Sequence, residues 1–279
     1  MFPPKRILFP IDCSERSIAV ARMARTFAER FQAELTLLLV VEPITMGYEF
    51  PFDAVTPAQG LLDTFLTQEL GRLKVNRVLL KGDPAHEIVN YAHEWDCDLI
   101  MLPTHGYGRF RRFLLGSVAA KILHDAMCPV WTSVHAEKIA PLEKITFRKI
   151  VCAIDLGRQS CSVLKWAAKF AEEVGADLTI VHAIPTAQDV PNFYTDQDWK
   201  SDLLHHAKEE IEHLQQSLGT QALVSIVPDE VAAGIRGCVE GSNADLLVIG
   251  RSVQEGVLGR LRTNAYAIIR QSPCPVVSV

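Results

Sequence analysis

The sequence predicts two tandem, doubly wound α/β domains, each built on a five-stranded parallel sheet, and three observations carry that prediction. The first is a long internal repeat. Lys5-Arg6-Ile7-Leu8-Phe9-Pro10-Ile11-Asp12 returns as Arg148-Lys149-Ile150-Val151-Cys152-Ala153-Ile154-Asp155, 143 positions on, and Ala33-Glu34-Leu35-Thr36 returns as Ala176-Asp177-Leu178-Thr179 at the same offset. Asp98-Leu99-Ile100 returns 147 positions on as Asp245-Leu246-Leu247, and Cys128-Pro129-Val130 returns 146 positions on as Cys274-Pro275-Val276. A period this long marks a duplicated domain, not a solenoid. The second observation is a series of short runs rich in Val, Ile and Leu, the pattern of strands buried on both faces of a parallel sheet. The third is the helical spacing between those runs, which with right-handed crossovers gives a doubly wound sheet.

Taken in order, the first-half strands are Ile7 to Phe9, Leu35 to Val41, Val75 to Leu80, Leu99 to Leu102 and Val130 to Val134. Ala21, Ala24, Ala28 and Phe31 recur at spacings of three and four behind a Ser14 or Ser17 cap, which predicts the first helix. Further helices are expected over Leu61 to Leu73, Ala85 to Trp95 and Val118 to Ala126. Glu42 to Gly60, with Pro43, Gly47, Pro51 and Pro57, reads as a long loop beside the sheet's carboxyl edge, and Ile184 to Lys200 repeats that texture. Such a loop is a surface connection or a lid. The boundaries follow: a first domain over 1–136, a linker over 137–146 containing Pro141, and a second domain over 147–279. Val130 to Val134 and Val276 to Val279 are apolar edge strands, so pairing through sheet edges, and with it a homodimer, is expected.

Composition narrows the function classes. The 279 residues, 48% of them hydrophobic, suffice for two ordinary cores. A formal charge of −5 argues against a nucleic-acid or anionic-membrane footprint, which needs clustered Lys and Arg. Arg109, Arg111 and Arg112 form one short basic run. Seven cysteines without a CxxC spacing or a secretory leader read as reduced packing thiols of a cytoplasmic protein. No stretch is apolar for long enough to cross a bilayer as a helix.

In an open parallel sheet, ligands collect beyond the carboxyl ends of the strands, at the point where strand order reverses. Two loops meet there: Pro10-Ile11-Asp12-Cys13-Ser14 after the first strand, and Pro103-Thr104-His105-Gly106-Tyr107-Gly108-Arg109 after the fourth, running on to Gly116-Ser117. Gly116 lets a phosphate approach the backbone, Ser117 adds a hydroxyl and a helix cap, and the helix start offers unpaired amides. Each residue alone also has a structural use, Asp12 and Ser117 as caps and Gly106 and Gly108 in a turn. His206, Glu209, Glu210 and His213 lie within helical reach of one another, a conceivable zinc set that reads better as a solvated face. The site set therefore holds no metal ligand and no catalytic residue.

On these residues the first half resembles a universal stress protein domain of the nucleotide-binding type. That family's signature is glycine, two residues, glycine, nine residues, then glycine followed by serine or threonine; Gly106, Tyr107 to Leu115, and Gly116-Ser117 match its latter part. Lys81-Gly82-Asp83-Pro84, Asp98-Leu99-Ile100 and Cys128-Pro129-Val130 also match, and the repeat extends the likeness to both halves. The resemblance implies a Rossmann-like fold of the adenine nucleotide α-hydrolase type and bound ATP or AMP in the first half. Carried over, it places Asp12 and the Val40 backbone near adenine and ribose, and Gly106, Gly116, Ser117 and Val118 near the phosphates, with Arg109 adding charge. Pro10, Ile11, Leu102 and Pro103 complete the set. Pro103 stands where the signature has its first glycine and removes a backbone donor. On that ground Pro103→Gly is expected to strengthen ATP binding. In the second half Gly250 survives, but Val253 replaces the next glycine and Thr263-Asn264 replaces glycine-serine, so that half is expected to bind nucleotide poorly or not at all.

The function implied is that of a nucleotide-binding regulator in stress response, with regulatory protein partners the sequence does not name. No positioned general base, Walker lysine or carboxylate pair accompanies the cradle, so turnover is not expected, though slow hydrolysis stays open. Two rivals stand beside it. One is a nucleotide-free interaction scaffold, which Pro103 keeps alive. The other is an ATP-using enzyme of the related α-hydrolase group, which would show a Ser-Gly-Gly-rich loop where this chain has Asp12-Cys13-Ser14.

Overall fold

In the computed structural model, residues 2–43, 55–103, 115–133, 145–184, 198–251 and 263–279 are described, and the chain divides into two compact units at Ile145 and Thr146. The first unit runs β1 (Arg6–Ile11), α1 (Glu15–Phe31), β2 (Glu34–Val41), α2 (Val55–Thr64), α3 (Thr67–Leu70), β3 (Val75–Lys81), α4 (Pro84–Glu94), β4 (Leu99–Pro103), α5 (Ser117–Asp125) and β5 (Val130–Ser133). Its strands lie in the order β3-β2-β1-β4-β5, and each recorded pairing is parallel. The order reverses between β1 and β4, where the sequence places the ligand.

The second unit repeats this plan as β6 (Lys149–Ala153), α6 (Ser160–Val174), β7 (Asp177–Ile184), α7 (Asp198–Leu218), β8 (Leu223–Pro228), α8 (Val231–Ser242), β9 (Leu246–Ile249), α9 (Thr263–Gln271) and β10 (Val276–Ser278). Its order is β8-β7-β6-β9-β10, again parallel. The predicted α/β class and the two tandem parallel sheets are therefore present.

The repeated aspartates have a structural cause. Asp98 Oδ2 accepts hydrogen bonds from the backbone N–H groups of Lys5 (2.9 Å) and Arg6 (3.0 Å), and Asp245 Oδ2 accepts from Arg148 (2.7 Å) and Lys149 (3.0 Å). Each carboxylate satisfies the amides at the start of one central strand and sets its neighbour's register. Central strands are sealed: Ile7, Leu8 and Phe9 are buried, as are Leu246 to Ile249. In the first core Phe27 packs edge-on against Trp131 at 4.9 Å between centroids, and in the second Trp166 stacks on Phe170 at 5.3 Å.

Four expectations need correction. The strands β3 and β8 are half-exposed along their length and not buried on both faces, because they stand at an end of their unit's strand order. The helix expected over Leu61 to Leu73 is two helices, broken where Leu66 takes the left-handed conformation at φ 61°. Arg77 causes that break to hold: its guanidinium donates to the carbonyls of Leu62 and Phe65, at 2.9 Å for the latter, and satisfies the open end of α2. Thr64 and Thr67 hydroxyls bind the carbonyls of Gly60 (3.2 Å) and Thr64 (3.0 Å) in the same turn. The loop expected to Gly60 gives way to helix from Val55, and in the second unit Ile184 belongs to β7 and Asp198 to Lys200 to α7. Finally, β10 ends at Ser278, a residue short of the expected strand, while Val134, the expected end of β5, lies outside the described residues. The linker expected over 137–146 falls, except for Ile145 and Thr146, outside the described residues.

Candidate functional site

The carboxyl end of β1 delivers Pro10 and Ile11, both buried, and then turns outward at Asp12. Cys13 follows at φ 58°, an uncommon conformation for a non-glycine residue, and Leu156 repeats it at φ 57°. In both units the turn is held by the same device. Asp12 Oδ1 accepts from Ser14 N–H (3.0 Å) and Ser17 hydroxyl (3.1 Å), and Asp155 Oδ1 accepts from Gly157 N–H (2.8 Å) and Ser160 hydroxyl (3.3 Å). Ser14 occupies the cap position of α1, one of the two expected, but makes no side-chain cap bond; the Asp12 carboxylate organises this helix start instead. The exposed Asp12 carboxylate is thereby fixed at the mouth of the β1/β4 crevice. Burial, and then the Asp12 charge, raises the pKa of the Cys13 thiol, which makes it a poor nucleophile there.

The ladder beside the crevice is cut short by prolines. Lys5 C=O accepts from Glu34 N–H on the β2 side, whereas Arg6 C=O accepts from Asp98 N–H on the β4 side. Backbone direction alternates along a strand, so Leu8 and Pro10 also face β4. On β4, Ile100 N–H donates to Pro129 C=O on the β5 side, so Met101 and Pro103 face β1. Recorded β1–β4 pairs stop at Leu8–Ile100, whereas β6–β9 pairs continue through Cys152–Val248 and Ala153–Ile249. The difference is chemical. Two further pairs in the first unit would need N–H groups from Pro10 and Pro103, and proline has none. The carbonyls of Met101 and Pro10 thus lose their ladder donors at the carboxyl edge where strand order reverses.

This register also changes what Pro103 does. The missing donor at 103 faces Pro10 across the strand gap, so its restoration serves the ladder before it serves a ligand.

Across the same carboxyl edge, α5 starts at Ser117 with Gly116 in the cap position and no side-chain cap bond. Ser117 is therefore the first helical residue and not the cap, and both Ser117 and Val118 are exposed. Among the described residues no side chain caps the first amides of α5, the arrangement that favours an anion. Val40 lies near the carboxyl end of β2, half-buried and paired with Leu80, and Leu102 is buried in β4. Asp12, Val40, Pro103 and Gly116-Ser117 thus come to one edge of one sheet. Gly106 and Arg109, with His105, Arg111 and Arg112, lie outside the described residues.

The matching crevice of the second unit is a formed cavity of about 780 Å³, walled by Ile154, Val163, Ile235 and Ile249 and carrying Asp155, Gln159 and His182. His182 Nδ1 hydrogen-bonds Ile154 C=O at 2.9 Å, and Gln159 Oε1 is buried without a hydrogen-bond partner among the described residues. Sequence reasoning passed over Pro10 as a ladder breaker and over Gln159 and His182. The repeat alignment carried a signal for the last, since His182 falls opposite the apolar Leu39 at the offset of 143. Among the described residues no group of three or more His, Cys, Asp or Glu is placed to hold a metal, and His206, Glu209, Glu210 and His213 stand along α7. No helix among them is long and apolar enough to cross a membrane.

Comparison with known proteins agrees with the fold. A family model described as the universal stress protein family matches residues 3–133 and again 146–279. Universal stress protein MJ0531 of Methanocaldococcus jannaschii is 33% identical over 142 residues, 45% of this chain and 79% of its own length. Universal stress protein A homolog 1 of Coxiella burnetii is 33% identical over 135 residues, 45% of this chain and 93% of its own. Among solved structures, a universal stress protein from Archaeoglobus fulgidus superposes with a TM-score of 0.74 at 23% identity, covering 98% of this chain and 95% of that one, a likeness of fold. The chain belongs to the universal stress protein family and carries two domains of it.

Proposed function

We propose that this tandem universal stress protein binds one adenine nucleotide, ATP or AMP, in its first unit and acts as a nucleotide-responsive regulator. The observation that carries the reading is the asymmetry of the two crevices. In the first unit the β1–β4 ladder stops at Leu8–Ile100, beside the Asp12 turn and on the same carboxyl edge as the uncapped start of α5. A phosphate suits the first amides of α5, at Gly116-Ser117-Val118. A ligand amino or hydroxyl group suits the carbonyls of Pro10 and Met101 and the Asp12 carboxylate, all of which accept. Adenine nucleotides supply both kinds of group in one molecule. In the second unit the ladder is closed, and α9 starts at Thr263 as α5 starts at Ser117, which corrects the expected match: Arg262, not a glycine, stands opposite Gly116 and Thr263 opposite Ser117.

The test is direct. Purified protein is denatured, released nucleotide is identified by mass, and native protein is titrated with ATP. Binding that vanishes in the Gly116→Val, Ser117→Ala double variant is expected; unchanged affinity in that variant would remove α5 from the site. Absence of binding in the native protein would favour the scaffold reading.

A further inference from the structure

We propose that the first unit carries a further site, for a small organic cation, in the groove between α4 and the strands β1, β2 and β3. The groove has a volume of about 620 Å³, within the range of small-molecule sites, and Ile7, Val78 and Leu80 give it an apolar floor. Tyr91 and Trp95 line it from α4 and its carboxyl cap. Their rings stack with centroids 5.6 Å apart and planes 19° from parallel, and Trp95 keeps 59% of its surface exposed. The electron-rich face of such a ring attracts a cation. Glu34 from β2 and Glu94 from α4 line the same groove, and neither carboxylate has a hydrogen-bond or ion-pair partner among the described residues.

The balance of charge selects the class of ligand. Arg6 is the one cation among the lining residues, and its guanidinium stands 3.7 Å from Asp96. The Tyr91 hydroxyl is hydrogen-bonded to Thr36, and the Asn90 amide lies 3.2 Å from His86, which leaves Asn76 as a neutral amide. Glu87, the third carboxylate of the lining, lies 3.3 Å from His86. An anion would meet Glu34, Glu94 and the carboxyl end of α4, where the helix dipole also favours positive charge. A neutral ligand gains nothing from these groups, and a cation gains from each. The second unit shows that the fold does not require them. At the offset of 147 that carries Asp98 to Asp245, Glu87, Asn90 and Glu94 become Gly234, Gly237 and Gly241, and Tyr91 and Trp95 become Cys238 and Ser242, yet α8 forms over the same span. The groove lies toward the amino ends of β1 and β2, at the edge opposite the nucleotide crevice, so nucleotide binding is not required.

The experiment uses the full chain and two probes of one shape, choline and its neutral carbon isostere 3,3-dimethylbutan-1-ol, each titrated by ligand-observed NMR. Choline is expected to bind roughly three- to thirtyfold more tightly, the worth of one cation–π contact with one exposed ion pair. Trp95→Ala should weaken choline binding roughly two- to fivefold. The Glu34→Gln, Glu94→Gln double variant keeps the shape and removes the charge, so it should lower choline affinity and leave that of the isostere unchanged. All three side chains are exposed, and circular dichroism of the variants should match that of the native chain. Equal affinity of the native protein for the two probes, no choline binding at millimolar concentration, or a preference for choline untouched by both variants would each overturn the proposal.

Discussion

At the scale of single residues, the two units are governed by the same few side chains put to the same use. Asp12 and Asp155 each hold a turn and a helix start through one oxygen. Asp12→Ala and Asp155→Ala are therefore each expected to destabilise their own unit by about 1 kcal/mol, the typical cost of a lost cap, measured by urea unfolding. Asp12→Ala should also weaken ATP binding, whereas Asp155→Ala should leave ATP affinity unchanged. Pro103 is the residue whose role the structure revises. A backbone donor restored there faces the Pro10 carbonyl, so Pro103→Gly should change ATP affinity by less than about threefold, not the tenfold or more that a new bond to a charged ligand would bring. A larger gain by calorimetry would show that the ligand reaches between the strands at that point. The thiols make a separate prediction. Burial raises the pKa of Cys97 to about 12, of Cys274 to about 11 and of Cys152 further still, whereas Cys161 is exposed. A thiol reagent on native protein should modify Cys161 well before these three, as peptide mass mapping would show.

At the scale of elements, the helix ends do most to define the edge on which the site is built. Arg77 closes α2 from β3, so Arg77→Met should destabilise the first unit by about 1.5–3 kcal/mol, the range for hydrogen bonds to a charged group. Asp83 starts α4 by accepting from His86 N–H at 2.9 Å, and Lys121 on α5 reaches the same oxygen at 3.1 Å. The His86 amide first, and then Lys121, hold the Asp83 carboxyl below its ordinary value of 3.8. A depressed carboxylate pKa stabilises the folded state above the unfolded pKa and loses that contribution as pH falls through the folded one. The stability gap between the native chain and Asp83→Ala should thus be full near neutrality and shrink below about pH 4. A gap that persists at pH 2 would mean that Asp83 acts without its charge.

At the scale of the whole molecule, the chain is a duplication whose halves kept the fold and parted at the crevice. Much of that was legible in the sequence. The first-half strands lie within a residue or two of their expected places because buried parallel strands write themselves as unbroken Val, Ile and Leu runs. Asp12, Gly116 and Ser117 come to one edge because the reversal point of strand order is fixed by topology. What stayed hidden depended on partners far along the chain. Leu66 breaks a helix whose apolar spacing is continuous, and the break is held by Arg77 from the next strand. Pro10 reads as a strand end until the register shows Pro103 facing it. His182 and Gln159 come together only when the ends of β6, β7 and β9 and the starts of α6, α8 and α9 line one cavity. The most direct test of the division of labour between the units is the stoichiometry of ATP binding to the intact chain by calorimetry, native and with Gly116→Val, Ser117→Ala. One nucleotide per chain, lost in the double variant, is the predicted result; two per chain, or one that survives the double variant, would contradict it.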